Sequence, residues 1–397
     1  MLKIRLSRAV SIPDKLKMAR YRKVPELGPK ILFFSGGTAL NPLSRALVEY
    51  THNSTHIVTP FDSGGSSAKL RKAFKMLAVG DMRSRLMALA DQSVKGNPEI
   101  FSLFAYRLPQ DKDDYELKNI LNLMAAGRHK LVNNIPDPLR RIIRNHLALF
   151  IEKMPENFDL KGASIGNLIL ASGYFANDRH IDPVIFIFSK LAEVRGTVRP
   201  VMNSMLHLIS LLDDGSTVRG QHMLTGKENA PIKSRVKEVY LSKNLDNPAP
   251  FNPAIRNKIK KLILDAELIC YPMGSFYSSI IANILPRGVG EAIAENLCPK
   301  IYIPNTAHDP EQFGTSLHQR VEILLQYLRQ SSNNLYPDSK LLDMVLIDRN
   351  HSLYQGGIDP EYIKRLGVDV LETNLCIDHK NPRLDNQLLM ECLLSMV

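Results

Sequence analysis

The residues best suited to chemistry in this 397-residue chain lie in three glycine-containing turns. Ser35-Gly36-Gly37-Thr38 follows the apolar run Ile31-Leu32-Phe33-Phe34. Asp62-Ser63-Gly64-Gly65-Ser66-Ser67 follows Ile57-Val58-Thr59-Pro60-Phe61, and Met273-Gly274-Ser275 follows Leu268-Ile269-Cys270. Each turn sits where an extended apolar run gives way to a helical pattern, so backbone N–H groups and a helix N-terminus can face an anion with no side chain between them. The chemistry this favours is phosphate binding. A Gly-Gly pair after a strand also serves as a plain packing turn, and Ser66 also reads as the N-cap of a helix that buries Leu70, Phe74 and Leu77. The second turn is the more specific of the three, because Asp62, Gly64, Gly65, Ser66, Ser67, Lys69 and Arg71 place an acid, two glycines, two hydroxyls and two cations within ten residues.

Four further stretches have ligand-loop character. Gly80-Asp81-Met82-Arg83-Ser84 puts an acid and an arginine at the start of a helix, where Gly80 and Asp81 serve equally as turn and cap. In Ser164-Ile165-Gly166-Asn167, Gly166 permits close approach and Asn167 offers both a donor and an acceptor. Tyr277 and Ser279 open the helical run beyond the third turn. Asn305 ends the run Ile301-Tyr302-Ile303-Pro304, as polar residues at the carboxyl edge of a parallel sheet do. His308 and Asp309, just after it, read as an acid/base pair or as a surface loop. His52 and His56 have i, i+4 spacing without a further clustered ligand, so a zinc site is not expected.

These turns need a scaffold that brings strand ends together. Apolar runs at 31–35, 55–60, 184–188, 267–272, 300–304, 343–348 and 368–372 are strand candidates, several of them continuous rather than alternating, which suits a parallel sheet covered by helices on both faces. A helical insert is expected over about 92–160, where Leu117, Ile120, Leu121 and Met124, then Leu139, Ile142, Ile143 and His146, recur at helical spacing. A small antiparallel excursion is expected over about 196–242, built from Val198-Arg199-Pro200-Val201, residues 208–212 and residues 236–241 around the turn Asp213-Asp214-Gly215.

The formal charge of +11 is concentrated at the start: residues 1–30 hold nine basic residues, among them Lys3, Arg5 and Arg8, against Asp14 and Glu26. This basic leader reads as a contact for an acidic partner such as a protein, a membrane surface or RNA, or as a solvated arm or a helix lying on the domain. The rest is nearly balanced, lacks Trp and has no basic-aromatic stripe, so nucleic acid is not expected as a partner. No apolar run reaches membrane-spanning length and the N-terminal charges break up any signal-type core, so a cytoplasmic protein without membrane contact is expected. Cys270, Cys298, Cys376 and Cys392 form no CxxC pair and read as reduced thiols.

Taken in order, SGGTAL at 35–40, DSGGSSAKLR at 62–71, GDMRS at 80–84, SIGNLIL at 164–170, the turn at 213–215 with Gly220-Gln221, AELICYPMGSFYSSIIANIL at 266–285 and KIYIPN at 300–305 resemble the 2-phospho-L-lactate transferase (CofD-like) superfamily. That superfamily includes gluconeogenesis-factor proteins that bind nucleotide-sugars. The resemblance runs from about Ile31 to Leu394 and implies a three-layer Rossmann-like α/β fold over 31–397, with a nucleotide diphosphate across the glycine turns. It implies that Gly36, Gly37 and Thr38 bind phosphate, that Asp62 holds Mg2+ or orients an acceptor, that Gly274, Ser275, Tyr277 and Ser279 contact the nucleotide, and that Asn167 and Asn305 line the base or acceptor side. No covalent cofactor is implied, and a homo-oligomer is expected. Two functions stay open: transfer of a phosphoryl-linked group to an acceptor hydroxyl, or nucleotide-sugar binding that serves regulation. Ala39 stands where the family usually has a second glycine. The single acid Asp62 before Ser63-Gly64-Gly65, where the transferases carry an acidic pair, resembles the gluconeogenesis-factor branch.

Overall fold

A computed structural model describes residues 9–92, 96–226, 229–377 and 383–397. Lys3, Arg5 and Arg8 lie outside the described residues. The strands are β1 (Ile31–Ser35), β2 (Thr55–Val58), β3 (Thr197–Pro200), β4 (His207–Leu212), β5 (Thr217–Arg219), β6 (Val236–Ser242), β7 (Leu268–Tyr271), β8 (Lys300–Tyr302), β9 (Met344–Asp348) and β10 (Asp369–Thr373). Seven of them form one sheet in the order β10-β9-β8-β7-β1-β2-β3, every neighbouring pair parallel. The other three form a small antiparallel sheet, β5-β4-β6.

The continuous apolar runs explain the parallel sheet. All of β1 and β7 is buried, and alternate side chains serve opposite faces: Ile31, Phe33, Leu268 and Cys270 join one core, while Leu32, Phe34, Ile269 and Tyr271 join another. Each large side chain so buried contributes about 1.5–3 kcal/mol, which only a strand covered on both faces can collect twice per residue pair. The α-helices up to residue 224 are α1 (Lys15–Lys23), α2 (Asn41–Leu47), α3 (Gly65–Phe74), α4 (Gly80–Ala88), α5 (Pro98–Ala105), α6 (Asp114–Ala125), α7 (Lys130–Asn133), α8 (Leu139–Lys153), α9 (Ile165–Ala176), α10 (Ile181–Leu191) and α11 (Gln221–Leu224). Helices α1, α2 and Asn386–Ser395 cover one face, and helices 257–264, 289–295 and 317–331 cover much of the other. Helices α3 to α10 enclose a third core of their own, which reaches the sheet through Val58 and Val198.

From β1 the chain winds outward through β2 to β3, and on its return through β7 it winds the opposite way to β10. The loops after β1 and β7 therefore leave a crevice at the carboxyl ends of the central strands, the place where open α/β sheets take their ligands.

Two sequence expectations fail. Residues 184–188 belong to helix α10, not to a strand: Ile181, Val184, Ile185, Phe188 and Leu191 are buried at helical spacing while Phe186 is exposed. Thr197–Pro200 is not part of the antiparallel excursion but the parallel edge strand beside β2, a position where Pro200 need not donate to a further neighbour. The described part of the leader is not a free arm. Met18 of α1 is buried, Asp14 N donates to Ser395 Oγ at 2.8 Å, and Lys17 Nζ donates to Ser395 O at 2.9 Å. All four cysteines are free thiols, and no helix among the described residues is long and apolar enough to cross a membrane.

Candidate functional site

The first turn is shaped by a buried arginine. Arg85 of α4 is fully buried; its Nη2 donates to Gly36 O at 3.2 Å and Gly37 O at 3.1 Å, and its Nη1 to Ser44 Oγ at 2.7 Å. In a planar trans peptide the N–H points away from the preceding carbonyl, so fixing these two carbonyls turns the Gly37 and Thr38 N–H groups the other way. Neither N–H has a hydrogen-bond partner among the described residues. A methyl group on Gly36 would lie 2.1 Å from Ser279 Oγ, so only glycine lets this turn rest on the helix that follows β7. Burial lowers Arg85 to about 10, opposed by the charge of Asp81, and it remains a cation at neutral pH.

In the second turn, Asp62 Oδ1 accepts from Gly64 N at 3.1 Å, and Gly65 takes a left-handed φ of 47° as α3 begins. Ser66 Oγ accepts from Ser164 N at 3.3 Å. A methyl on Gly80 would stand 2.4 Å from Ser67 Oγ and 3.2 Å from Asp62 Oδ2, so Gly80 lets α4 start directly against this turn. Asp81 lies below Gly37, its Oδ1 3.3 Å from where a Gly37 methyl would be, and its Oδ2 accepts from Thr59 Oγ1 at 3.3 Å.

The third turn differs. After Gly274 and Ser275 the chain enters a π-helix, Phe276–Ile281, whose first amides are already taken. Phe276 N donates to Asp309 Oδ2 at 3.0 Å, and Tyr277 N and Ser278 N both donate to Glu311 Oε2 at 2.8 Å. Burial pushes the carboxyls of Asp309 and Glu311 above their ordinary range, and the Asp309 charge pushes Glu311 further. Asn283 Nδ2 donates to Ser35 O at 2.9 Å and so ties this helix to the end of β1.

These turns share one cavity of about 360 Å3. Of the residues singled out from sequence, Gly36, Gly37, Thr38, Asp62, Gly64, Gly65, Ser66, Ser67, Asp81, Arg83, Asn167, Gly274, Ser275 and Ser279 line it. An adjoining cavity of about 510 Å3 shares Thr38, Thr225, Gly274 and Ser275 with the first and is lined by Asn305, His308 and Asp309. Asn167 is 2% exposed and its Oδ1 has no partner among the described residues.

Three residues fall elsewhere. Arg71 lies on the buried side of α3, one turn beyond the loop; its Nη1 donates to Pro60 O at 3.0 Å and its Nη2 to Leu206 O at 2.7 Å, stitching the loop after β2 to the entry of the antiparallel unit. Gly166 is a packing glycine, since a methyl there would lie 2.8 Å from Arg83 Cδ and 2.9 Å from Phe104 O. Tyr277 is buried, and its O–H donates to Val236 O at 3.4 Å, away from the cavity.

Of the other residues in the wall, Gln221 belongs to a stretch that carried the resemblance, whereas Arg107 and His222 had no signal in the sequence. Arg107 lines the cavity beside Arg83, and burial together with that neighbouring charge lowers Arg83 to about 10. Arg83 Nη1 donates to Phe104 O at 3.0 Å and Arg107 Nη1 to Gly162 O at 3.2 Å; neither forms a salt bridge with a carboxylate among the described residues. Two adjacent guanidiniums facing one cavity attract an anion. Gln221 and His222 reach the same cavity from α11. No group of three or more His, Cys, Asp or Glu residues that could hold a metal occurs among the described residues.

A model of the family described as 2-phospho-L-lactate transferase CofD matches residues 31–376. The chain is similar to a protein named putative gluconeogenesis factor from Thermoanaerobacterium thermosulfurigenes, 28% identical over 93% of this chain and 97% of that one. It is 27% identical to the gluconeogenesis factor of Bacillus subtilis (strain 168), over 89% of this chain and 92% of that one. A crystal structure of a UPF0052-family protein from Bacillus halodurans shares its fold, with a TM-score of 0.65 at 23% identity over 92% of this chain and 99% of that one.

Proposed function

The chain belongs to the 2-phospho-L-lactate transferase CofD family, and from that premise we propose that it binds a nucleoside diphosphate, free or linked to a small molecule, with the diphosphate across the first two turns. The observation that carries this reading is the pairing of the open Gly37 and Thr38 N–H groups with Arg83 and Arg107 around one cavity at the switch point of the sheet. Amides and guanidiniums supply neutralising charge that is in place before the ligand arrives.

A magnesium ion fits this donor set. Asp62 has one oxygen on Gly64 N and leaves Oδ2 without a hydrogen-bond partner among the described residues, and Mg2+ is commonly held by one or two carboxylates plus ligand phosphates. Such an ion would neutralise charge developing on the phosphoryl oxygens. In the transfer reaction an acceptor hydroxyl oxygen bonds to the phosphorus distal to the nucleoside, the bridging P–O bond breaks with nucleoside monophosphate leaving, and the hydroxyl proton passes to solvent. The residues of this chain serve to position and neutralise rather than to form a covalent intermediate.

The second reading, non-catalytic nucleotide-sugar binding in regulation, is favoured by Asp62 being followed by Ser63, a residue engaged by His222. Melting temperature over a panel of nucleoside diphosphates, with and without Mg2+, separates the two. A ligand-induced rise that needs Mg2+ and is lost in Asp62→Ala supports transfer. A rise without Mg2+ that survives in Asp62→Ala supports the regulatory reading, and no rise with any nucleotide overturns both.

A further inference from the structure

The antiparallel unit is joined to the second turn by a contact that spans 159 residues. Ser63 Oγ and His222 Nδ1 are 2.7 Å apart, and the His222 backbone N donates to the same Oγ at 3.2 Å. The serine has a single proton and two acceptor lone pairs; one lone pair accepts from the backbone, and when the proton is given to Nδ1 the hydroxyl both donates and accepts once. The neutral imidazole then carries its own proton on Nε2. In the cationic form Nδ1–H donates to Oγ instead, and Nε2 is still protonated. In both of these forms Nε2 is a donor; in the remaining neutral tautomer, with Nδ1–H on Oγ, it is an acceptor.

The backbone is built to hold this arrangement. Gly220, immediately before α11, has a φ of 97°, and a methyl there would lie 3.1 Å from Ser63 Oγ and 3.2 Å from His222 Nδ1. A side chain at this position would be strained and would crowd the pair. Arg71 anchors the same unit to the loop after β2 through Leu206 O. His222 lines the cavity, and with Nδ1 on Ser63 and Cε1 beside Gly220 the ring edge left free is the one that carries Nε2 and Cδ2. That nitrogen has no partner among the described residues and is not among their buried unpaired atoms.

We infer that His222 is a ligand-binding residue whose Nε2–H is donated to a phosphoryl oxygen of the nucleoside diphosphate lying on the Asp62–Ser67 turn, and that Ser63 is the positioning residue that fixes its tautomer. The inference rests on the proposed nucleotide binding. The small antiparallel sheet thereby acquires a role at the site, carrying a donor to the phosphate turn from a part of the chain far from Arg83 in sequence.

Calorimetry, with whichever of adenosine, cytidine, guanosine or uridine diphosphate binds the wild type most tightly, tests it through paired substitutions. His222→Ala is expected to weaken binding about tenfold, the scale of one hydrogen bond to an anionic oxygen. His222→Gln, whose amide nitrogen falls near Nε2, is expected to restore most of that loss. His222→Asn, whose amide nitrogen falls near Nδ1, is expected to restore none. Nitrogen-15 spectra of the histidine-labelled wild type are expected to show a protonated Nε2 on His222 that shifts on addition of the nucleotide. A purely structural role predicts the reverse ranking, rescue by Asn and not by Gln, and an unmoved Nε2 signal; either result overturns the inference while leaving nucleotide binding in place. If no diphosphate binds the wild type, the proposed function falls and this inference falls with it.

Discussion

The turn after β1 and the turn after β7 look alike in sequence and differ in what they offer a ligand. Both follow a fully buried strand, both carry glycine and a hydroxyl, and both lie on the same rim of the sheet. At the first, Arg85 holds the carbonyls of Gly36 and Gly37 and leaves their neighbouring N–H groups open to the cavity. At the second, Asp309 and Glu311 occupy the amides of Phe276, Tyr277 and Ser278 from inside the protein. An anion slot filled by the protein's own carboxyl groups is a structural joint, and one left open beside a buried cation is free for the diphosphate binding proposed above. Three similar strand-turn-helix units therefore differ in how many free amides they offer to an anion.

The largest effect expected from breaking this comparison is at Arg85. Arg85→Ala strands two carbonyls and a buried serine hydroxyl, with Asp81 losing its neighbouring cation; it should cost about 4 kcal/mol of stability, the scale for uncompensated buried partners. Chemical denaturation measures it, and a loss below about 1 kcal/mol would show that the first turn holds its shape without the arginine.

At the third turn, Glu311→Ala should cost about 3 kcal/mol by leaving the Tyr277 and Ser278 amides without an acceptor, while Glu311→Gln, which keeps one, should cost about 1 kcal/mol. The pH dependence has a defined sign. Burial raises the folded-state pKa of Glu311 above its ordinary 4.5, so the folded protein keeps a proton that the unfolded chain has released. The stabilisation is complete below the ordinary value and is lost as pH rises toward the elevated one. Wild type measured against Glu311→Gln should therefore lose relative stability between about pH 4.5 and the neutral range. A difference independent of pH would mean that the amides keep this carboxylate ionised throughout.

A smaller effect sharpens the boundary of the site. Arg71→Ala should cost about 2–3 kcal/mol through the lost bonds to Pro60 and Leu206, yet leave nucleotide affinity of the folded protein within about twofold, since Arg71 does not line the cavity. A tenfold loss of affinity at full folding would return Arg71 to the site.

Much of the molecule was legible in the sequence where the signal was local. The central strands announced themselves as continuous apolar runs, the α6 and α8 helices as apolar residues at helical spacing, and the cavity loops as glycine and hydroxyl residues after strands. Residues 184–188 misled because five consecutive apolar residues fit a buried strand as well as a helix; only the wider spacing from Ile181 to Leu191 separates them. Arg71 misled because proximity in sequence to a phosphate-like turn does not say which side of α3 it occupies. Long-range contacts were out of reach altogether. Nothing local joins Ser63 to His222, or Asp309 and Glu311 to the amides of residues 276–278, and these contacts decide which turn is open and which is closed.

The most direct measurement follows backbone amide resonances while a nucleoside diphosphate is titrated into the folded protein. Gly37 and Thr38 N–H signals should shift as the ligand binds, with those of Phe276, Tyr277 and Ser278 unmoved. Shifts confined to residues 276–278, with Gly37 and Thr38 silent, would contradict the assignment of the first turn as the open anion site.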